Sequence, residues 1–189
     1  MLYNIYLMKI VLVFVTTLDG KVTKWGNPVV RTWSSREDQE YFADLWRSNK
    51  LIVMGSNTYN ADPVKPLPGQ LLIVMTGHPE KYHGRQIPGR IEFTDSTPAV
   101  LAERLIKKGY EQMMVVGGPH ISTSFLRARL IDEIWLTIEP KLFGRGDNFI
   151  TDEEFDIGLK LLSLEKVTEN GTLITKYEVI RSETSGQGF

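Results

Sequence analysis

Short, continuous apolar runs recur along the first two thirds of the chain, each bounded by turn residues. Four of them are KIVLVFV (9–15), LIVMG (51–55), LLIVMT (71–76) and MMVVGG (113–118), and RIEFTD (90–95) is a weaker candidate. Runs of about four to eight such residues are typical of strands that are covered on both faces. The pattern therefore predicts a mostly parallel sheet.

Segments with apolar positions at helical spacing lie between these runs. The segment 34–50 predicts a helix that begins at a capping box formed by Ser34 and Glu37. A second helix is predicted between Thr97 as N-cap and Gly109 as stop, and a third follows the glycine pair of the last run.

The last part of the chain has a different pattern. Two alternating runs within 159–181 meet at Asn170-Gly171, which predicts a β-hairpin. The predicted fold class is α/β, with a mixed, mostly parallel central sheet flanked by helices and an antiparallel C-terminal hairpin. We expect one domain over 9–181, with 1–8 and 182–189 as terminal extensions.

Composition narrows the function classes. Lysine and arginine total 22 against 23 acidic residues, so the net charge of −1 gives no electrostatic reason to expect nucleic acid or an anionic membrane as partner. The chain has no cysteine, which excludes disulfides, thiol nucleophiles and thiolate metal sites. The three histidines lack metal-ligand spacing, so no metal is expected. We expect a cytoplasmic protein with a small-molecule ligand.

Three of the predicted strands end in small polar residues. Gly117-Gly118 could let a ligand approach the backbone at a helix N-terminus or could be a plain turn, and these residues alone do not decide. The same combination of glycine and small polar residues ends two other predicted strands, at Gly55-Ser56 with Thr58 and at Thr76-Gly77. Because open α/β sheets bind ligands at the carboxyl ends of their strands, the three junctions together favour a ligand crevice.

Three aspartates are candidates for chemistry. Asp38 lies at the head of the apolar face of the predicted helix 34–50, where partial burial would raise its pKa and suit it to orient or protonate a heterocycle. A plain helix-dipole role is the alternative. Asp62 before Pro63 and Asp19 before Gly20 are by default turn residues.

The order of these motifs resembles the dihydrofolate reductase-like superfamily. The stretches are TTLDGKVT, SSREDQEYFADLW, VMGSNTYNADP and VVGGPHISTSFLRARLIDEIWLTIEPKLFGRGDNFI. Within that superfamily, the chain is most similar to the reductase domain of riboflavin biosynthesis, which forms the C-terminal domain of a bifunctional deaminase-reductase and also occurs alone. The resemblance covers roughly 9–181.

The resemblance implies a nicotinamide-dependent reductase that uses NADPH and forms a homodimer. The residues that it assigns to the cofactor are Thr16, Gly55, Ser56, Thr58, Thr76, Gly77, Gly117, Gly118, Pro119, His120, Ile121 and Ser122. The residues that it assigns to the substrate are Asp19, Gly20, Lys21, Asp38 and Asp62, of which Asp38 and Asp62 would be catalytic. The implied reaction is hydride transfer from C4 of the dihydronicotinamide to C1′ of a ring-opened ribosylaminopyrimidine.

Two departures from the family pattern leave alternatives open. The sequence NADPVKPLPG has Ala61 where riboflavin-pathway reductases commonly have a further aspartate, and only Lys65 follows where they have an arginine. Ser56 stands where dihydrofolate reductases often place an arginine on the 2′-phosphate of NADPH, with Lys81 or Arg85 as substitutes. The alternatives are a dihydrofolate or pteridine reductase and a non-catalytic nucleotide-binding homodimer.

Overall fold

An eight-stranded sheet organises the protein in the computed structural model, which describes residues 8–181. The strands are β1 (Lys9–Thr17), β2 (Leu51–Gly55), β3 (Leu71–Met75), β4 (Ile91–Thr94), β5 (Gln112–Val115), β6 (Glu133–Glu139), β7 (Leu159–Lys166) and β8 (Leu173–Val179). Their order is β4-β3-β2-β5-β1-β6-β8-β7. The strands β1 to β6 run parallel, and β8 and β7 add an antiparallel edge. The predicted fold class is confirmed.

Within residues 8–181, four α-helices accompany the sheet. They are α1 (Arg36–Ser48), α2 (Ser56–Ala61), α3 (Pro98–Lys107) and α4 (Pro119–Arg127), and short 3-10 turns span Val30–Thr32 and Pro79–Arg85. Thr97 caps α3 as predicted, because its side chain accepts the N–H of Val100. The helix α2 was not predicted, since its six residues carry no apolar periodicity that a sequence pattern could show.

Both faces of the sheet are buried because successive side chains of a strand point to opposite faces. On β1, Ile10 and Leu12 belong to one apolar cluster, while Val11 and Val13 belong to the other. The first cluster includes residues of α3 and α4, and the second includes residues of α1 and α2. This two-sided cover explains why the central strands read as continuous apolar runs.

The start of α1 differs from the prediction. The N-cap is Ser35 and not Ser34, because Ser35 has extended backbone angles and its Oγ accepts the N–H of Asp38 at 3.2 Å. The capping box with Glu37 was also wrong. The N–H of Ser35 donates instead to Oε1 of Glu139 at 2.6 Å, so a strand side chain completes the cap.

The prediction for the chain ends concerns the extensions 1–8 and 182–189. Met8, which was predicted to lie in the N-terminal extension, is buried in the core cluster. The extensions otherwise lie outside the described residues, so the domain bounds stay a prediction. Within residues 8–181, no helix has the length and apolar character needed to cross a membrane.

Candidate active site

A cleft of about 1360 Å³ opens at the carboxyl ends of the parallel strands. One side, which we call the glycine wall, consists of Gly55, Ser56, Thr58, Gly117 and Gly118. The other side, which we call the helix wall, consists of Asp38, Tyr41, Phe42 and Trp46 on α1. The fold therefore brings the predicted glycine pair and the predicted carboxylate to one cavity.

The glycine wall is built from the ends of β2 and β5. The N–H of Gly55 donates to the carbonyl of Gly117 at 2.7 Å, which ties the two strand ends together. Gly117 has a φ of 110°, and a Cβ there would lie 3.4 Å from a ring carbon of Phe14. The positive φ is the reason that glycine is favoured at this position.

The glycine wall and the adjoining first turn of α4 present backbone N–H donors. Gly118 is the N-cap of α4, and Pro119 occupies the first helical position, where its missing N–H costs little. The N–H groups of Gly118 and His120 donate to no acceptor within the described part of the chain. Unpaired N–H groups at a helix N-terminus attract anions. The arrangement can therefore bind a phosphate or diphosphate group.

The cleft continues along the sheet to the ends of β3 and β4. Its lining there comprises Thr76, Gly77, Thr94, Asp95 and Ser96. The N–H of Thr76 donates to the carbonyl of Thr94 at 2.9 Å, so the two strand ends are held side by side. Residues 94–96 were not predicted as site residues, although Thr-Asp-Ser after an apolar run is the same signal as at the other strand ends.

Asp38 is the buried titratable group of the helix wall. It is the third residue of α1, and its side chain is 5% exposed. Burial raises the pKa of Asp38 from 3.8 to about 6. The neighbouring hydroxyls of Thr137 and Ser34 lower this pKa in part, and the carboxylate of Glu139 raises it. Near neutral pH this carboxyl group can hold or release a proton.

Glu139 supports this wall from the end of β6. It is buried, and its second oxygen accepts the hydroxyl of Thr172 at 3.0 Å while the first accepts the N–H of Ser35. The carboxylate thus joins the start of α1 to the sheet and to the C-terminal hairpin. Sequence reasoning missed this residue, because only the pairing of β6 beside β1 brings it near α1.

Asp62 lines the cleft as part of an ion pair. Its Oδ2 lies 2.6 Å from Nη2 of Arg31, and both side chains are largely exposed. Lys65 lines the cleft as well. The predicted aspartate is therefore in the cavity, but it already has a cationic partner.

Five predicted site residues do not line the cleft. They are Thr16, Asp19, Gly20, Lys21 and Ser122. Thr16 and Ser122 have buried side chains, and Ser122 Oγ donates to the carbonyl of Gly118 at 3.1 Å. The neighbouring residues Val15, Val22 and Thr23 line the cleft in their place.

The loop 19–21, which was predicted to bind the substrate, is anchored to the segment 143–148. Asp19 accepts the N–H of Gly144 at 2.7 Å and that of Phe143 at 3.2 Å. The hydroxyl of Thr17, together with these N–H groups, lowers the pKa of Asp19 to about 2. Lys21 Nζ donates to Asn148 Oδ1 at 2.8 Å, and Asn148 lines the cleft. These side chains hold the loop in place rather than face the cavity.

No group of three or more histidine and acidic side chains within residues 8–181 is arranged to hold a metal ion. The remaining predicted positions, Thr76 to Gly77 and Pro119 to Ile121, all line the cleft.

The cleft combines backbone donors for an anion with a buried carboxyl group, without a metal cluster in the described part of the chain.

Comparison with known proteins places the chain in a family. Residues 67–173 match the RibD C-terminal domain. The YwjB protein of Bacillus subtilis is 23% identical over 145 residues, which are 73% of this chain and 80% of that protein. A pyrimidine reductase-like protein from Corynebacterium diphtheriae has a similar structure, with a TM-score of 0.71 and 18% identity over 96% of this chain and 95% of that one.

A second similar structure is dihydrofolate reductase from Enterococcus faecalis in complex with NADP(H) and RAB-propyl. It has a TM-score of 0.62 and 18% identity over 92% of this chain and 98% of that one. Identities this low show the shared fold alone. The family match spans more than half of the chain and the strand order agrees with the expected architecture, so this protein belongs to the RibD C-terminal domain family.

Proposed function

We propose that this protein is a reductase that transfers a hydride from a reduced nicotinamide dinucleotide to a pyrimidine-like substrate. The substrate class that the resemblance favours is 5-amino-6-(5-phosphoribosylamino)uracil. One observation carries the proposal: free backbone N–H groups of the glycine wall and the buried carboxyl group of Asp38 line the same cleft.

The cleft suits the cofactor on physical grounds. The diphosphate would accept the N–H groups of Gly118 and His120, where the dipole of α4 favours negative charge. When bound, the dihydronicotinamide supplies the hydride. The Enterococcus enzyme was solved with NADP(H), and the resemblance implies NADPH. The choice between NADPH and NADH depends on the charges around the adenosine ribose.

Asp38 would supply the matching proton. Reduction of a ring-opened ribosylamino group adds a hydride to C1′ and a proton to the adjoining nitrogen. A carboxyl group with a pKa of about 6 is partly protonated near neutral pH, so Asp38 can donate to that nitrogen or orient the ring. Lys65 also lines the cleft, beside the ion pair of Arg31 with Asp62, and the charge of Lys65 suits the ribose phosphate.

Turnover by the purified protein tests the proposal. The protein is mixed with the phosphoribosylaminouracil and with NADPH or NADH, and the loss of dihydronicotinamide absorbance is followed. Asp38→Asn should lower kcat by about 100-fold or more, because general acid catalysis contributes about that factor. Asp156→Asn is the matched control, since Asp156 is an exposed acid outside the cleft lining. Oxidation of neither dinucleotide with this substrate would contradict the assignment.

Dihydrofolate or another pteridine is the second candidate substrate. It is favoured by the buried carboxyl group of Asp38 beside the hydroxyl of Thr137, since such a pair can bind the amino-substituted edge of a pteridine ring. The same assay with dihydrofolate separates the two. Turnover of dihydrofolate that survives in Asp38→Asn would argue against this role for the carboxylate.

A non-catalytic nucleotide-binding protein is the remaining alternative. Trp46 lines the cleft, so quenching of tryptophan fluorescence reports dinucleotide binding without any reaction. Binding of a dinucleotide without turnover of either substrate would favour this alternative. The cytoplasm stays the expected compartment.

We also propose a homodimer. Every residue of β7 is exposed, and Leu161, Leu162 and Leu164 are 49%, 46% and 56% exposed on this edge strand. A second copy that covers these leucines would bury apolar area and protect the edge.

Sedimentation velocity tests the homodimer. We expect a dimer for the unaltered protein and a monomer for Leu164→Glu, because a buried charge would oppose association. Val100→Glu is the control, since Val100 is also 56% exposed but lies on α3. A monomer for the unaltered protein at micromolar concentration would contradict the proposal.

A further inference from the structure

The topology of the sheet fixes which end of the cleft would receive the adenosine. The glycine wall lies at the ends of β2 and β5, while Asp38 lies beside Thr137 on β6. In the order β4-β3-β2-β5-β1-β6, a diphosphate at β2 and β5 with the reacting ring toward β6 leaves the ends of β3 and β4 for the adenosine half. This step rests on the proposed function.

That end of the cleft carries an unpaired carboxylate. The strand-end segments 55–58, 75–77 and 94–96 line it and contain neither lysine nor arginine. Their one charged side chain is Asp95, which is exposed and has no hydrogen-bond or ion-pair partner within residues 8–181. The hydroxyl of Thr94 donates to Ser96 Oγ at 2.8 Å, so the flanking hydroxyls are engaged with each other.

The two basic residues that could replace the missing arginine do not reach the cleft. Neither Lys81 nor Arg85 belongs to its lining. Arg85 donates to Asn60 Oδ1 at 3.3 Å, and its guanidinium lies 5.8 Å from the ring centre of Tyr82. Asn60 and Tyr82 are also outside the lining. In the structure, Arg85 therefore contacts groups outside the cleft.

Within residues 8–181, the lysine and arginine side chains that line the cleft come from other elements. They are Arg31, Arg47 and Lys65. Arg31 is paired with Asp62, and Arg47 contacts Asp44 within α1. None of the three belongs to the strand ends that would surround the adenosine ribose.

We propose that this cleft selects NADH over NADPH and that Asp95 is the specificity-determining residue. A carboxylate accepts hydrogen bonds from the 2′-hydroxyl and 3′-hydroxyl of a ribose, as acidic residues do in other dinucleotide sites. The 2′-phosphate of NADPH would add about 1.5 to 2 negative charges near pH 7 beside that carboxylate, with no cation from these segments to offset them.

Equilibrium binding tests this selection without any reaction. The purified protein is titrated with NADH and with NADPH, and tryptophan fluorescence is followed at low and moderate salt. We expect NADH to bind about tenfold more tightly, with a difference that shrinks as salt rises, because repulsion between charges in an open cleft is screened. Asp95→Asn should bring the two dissociation constants closer together, and Asp95→Asn with Ser56→Arg should favour NADPH.

The outcomes separate this inference from the proposed function. Asp156→Asn, an exposed acid outside the cleft, should leave the preference unchanged. Equal or tighter binding of NADPH by the unaltered protein would overturn the selection of NADH while leaving the reductase proposal in place. An unchanged preference in Asp95→Asn would overturn the role of Asp95. Binding of neither dinucleotide would instead contradict the proposed function.

Discussion

The two walls of the cleft would act through different parts of the chain. The glycine wall offers backbone N–H groups and space, and its key residues Gly117 and Gly118 have no side chains. The helix wall offers a carboxyl group whose pKa is set by burial and by the neighbours Thr137 and Glu139. A backbone site tolerates changes in nearby side chains but not a new Cβ. A side-chain site depends on the identity of a few residues.

The sequence indicated residues of both walls, each with an alternative structural role. Gly117-Gly118 alone left a ligand site and a plain turn open, and only the three strand ends taken together favoured a crevice. An aspartate in the first turn of a helix is common on the surface, where it complements the helix dipole. The apolar face of the predicted helix pointed to partial burial of Asp38, and the packing of α1 against the sheet confirms that it is buried.

The largest effect on dinucleotide binding is expected from Gly117→Ala. The new Cβ would face Phe14 and Thr58 at 3.4 to 3.5 Å, and alanine disfavours a φ of 110°. Displacement of the glycine wall should weaken dinucleotide binding by about 10- to 100-fold, because hydrogen bonds to a charged diphosphate are lost. The measurement is a fluorescence titration with NADH and NADPH.

A matched variant separates this loss from backbone strain. Gly69 has a φ of 81°, lies outside the cleft lining, and its Cβ would meet nothing within 4 Å. Gly69→Ala should lower the free energy of unfolding by about 1 to 3 kcal/mol through backbone strain, an effect that Gly117→Ala should share. Gly69→Ala should leave dinucleotide binding unchanged. Equal binding by Gly117→Ala and the unaltered protein would show that the glycine wall does not hold the dinucleotide.

A second effect concerns stability and pH on the helix wall. The pKa of Asp38 is raised from 3.8 to about 6 in the folded state, so the folded protein binds the proton more tightly than the unfolded chain. The contribution of this group to stability is therefore present below about pH 4 and is lost as pH rises through about 6. Above that pH, the charged carboxylate lowers the free energy of unfolding by up to about 3 kcal/mol.

Asp38→Asn should remove this dependence. At pH 8 the variant should be more stable than the unaltered protein by about 1 to 3 kcal/mol, because the amide carries no charge to bury. Urea unfolding followed between pH 4 and 8 measures the two curves. Parallel curves would mean that Asp38 does not titrate in this range.

The smallest effect is expected from Ser122→Ala, behind the glycine wall. Its hydroxyl donates to the carbonyl of Gly118, which also accepts the N–H groups of Ile121 and Ser122. Loss of the hydroxyl should cost about 1 kcal/mol of stability and change dinucleotide affinity less than about threefold. A much larger loss of affinity would mean that this side chain, and not only the backbone, shapes the site.

Individual elements show how much of the fold could be predicted from the sequence. The central strands were predicted from their apolar runs, and the C-terminal hairpin from Asn170-Gly171, because such strands and turns carry their signal locally. The N-cap was placed one residue early, at Ser34, because Glu139 and not Glu37 receives the free N–H. Nothing in the local sequence marks a partner that lies 104 residues away.

The sequence predicted the candidate site only in part, again because contacts between distant segments leave no signal in the local sequence. The strand-end residues Gly55, Thr76 and Gly117 line the cleft, as expected for parallel strands. Asp19 and Lys21 do not, since their side chains bind the 143–148 segment, which is distant in sequence. The roles of these residues in binding and catalysis stay predictions.

The sequence by itself determined which segments become strands and helices, where the chain turns, and that glycines stand where strands end. These properties depend on local backbone preference and on the spacing of apolar residues. Tertiary structure alone decided that Asp38 lies beside Thr137, that Glu139 caps α1, and that Asp95 has no ion-pair partner within residues 8–181 at the far end of the cleft. Burial and charge environment are sums over neighbours from distant parts of the chain, so they exist only once the sheet has been assembled.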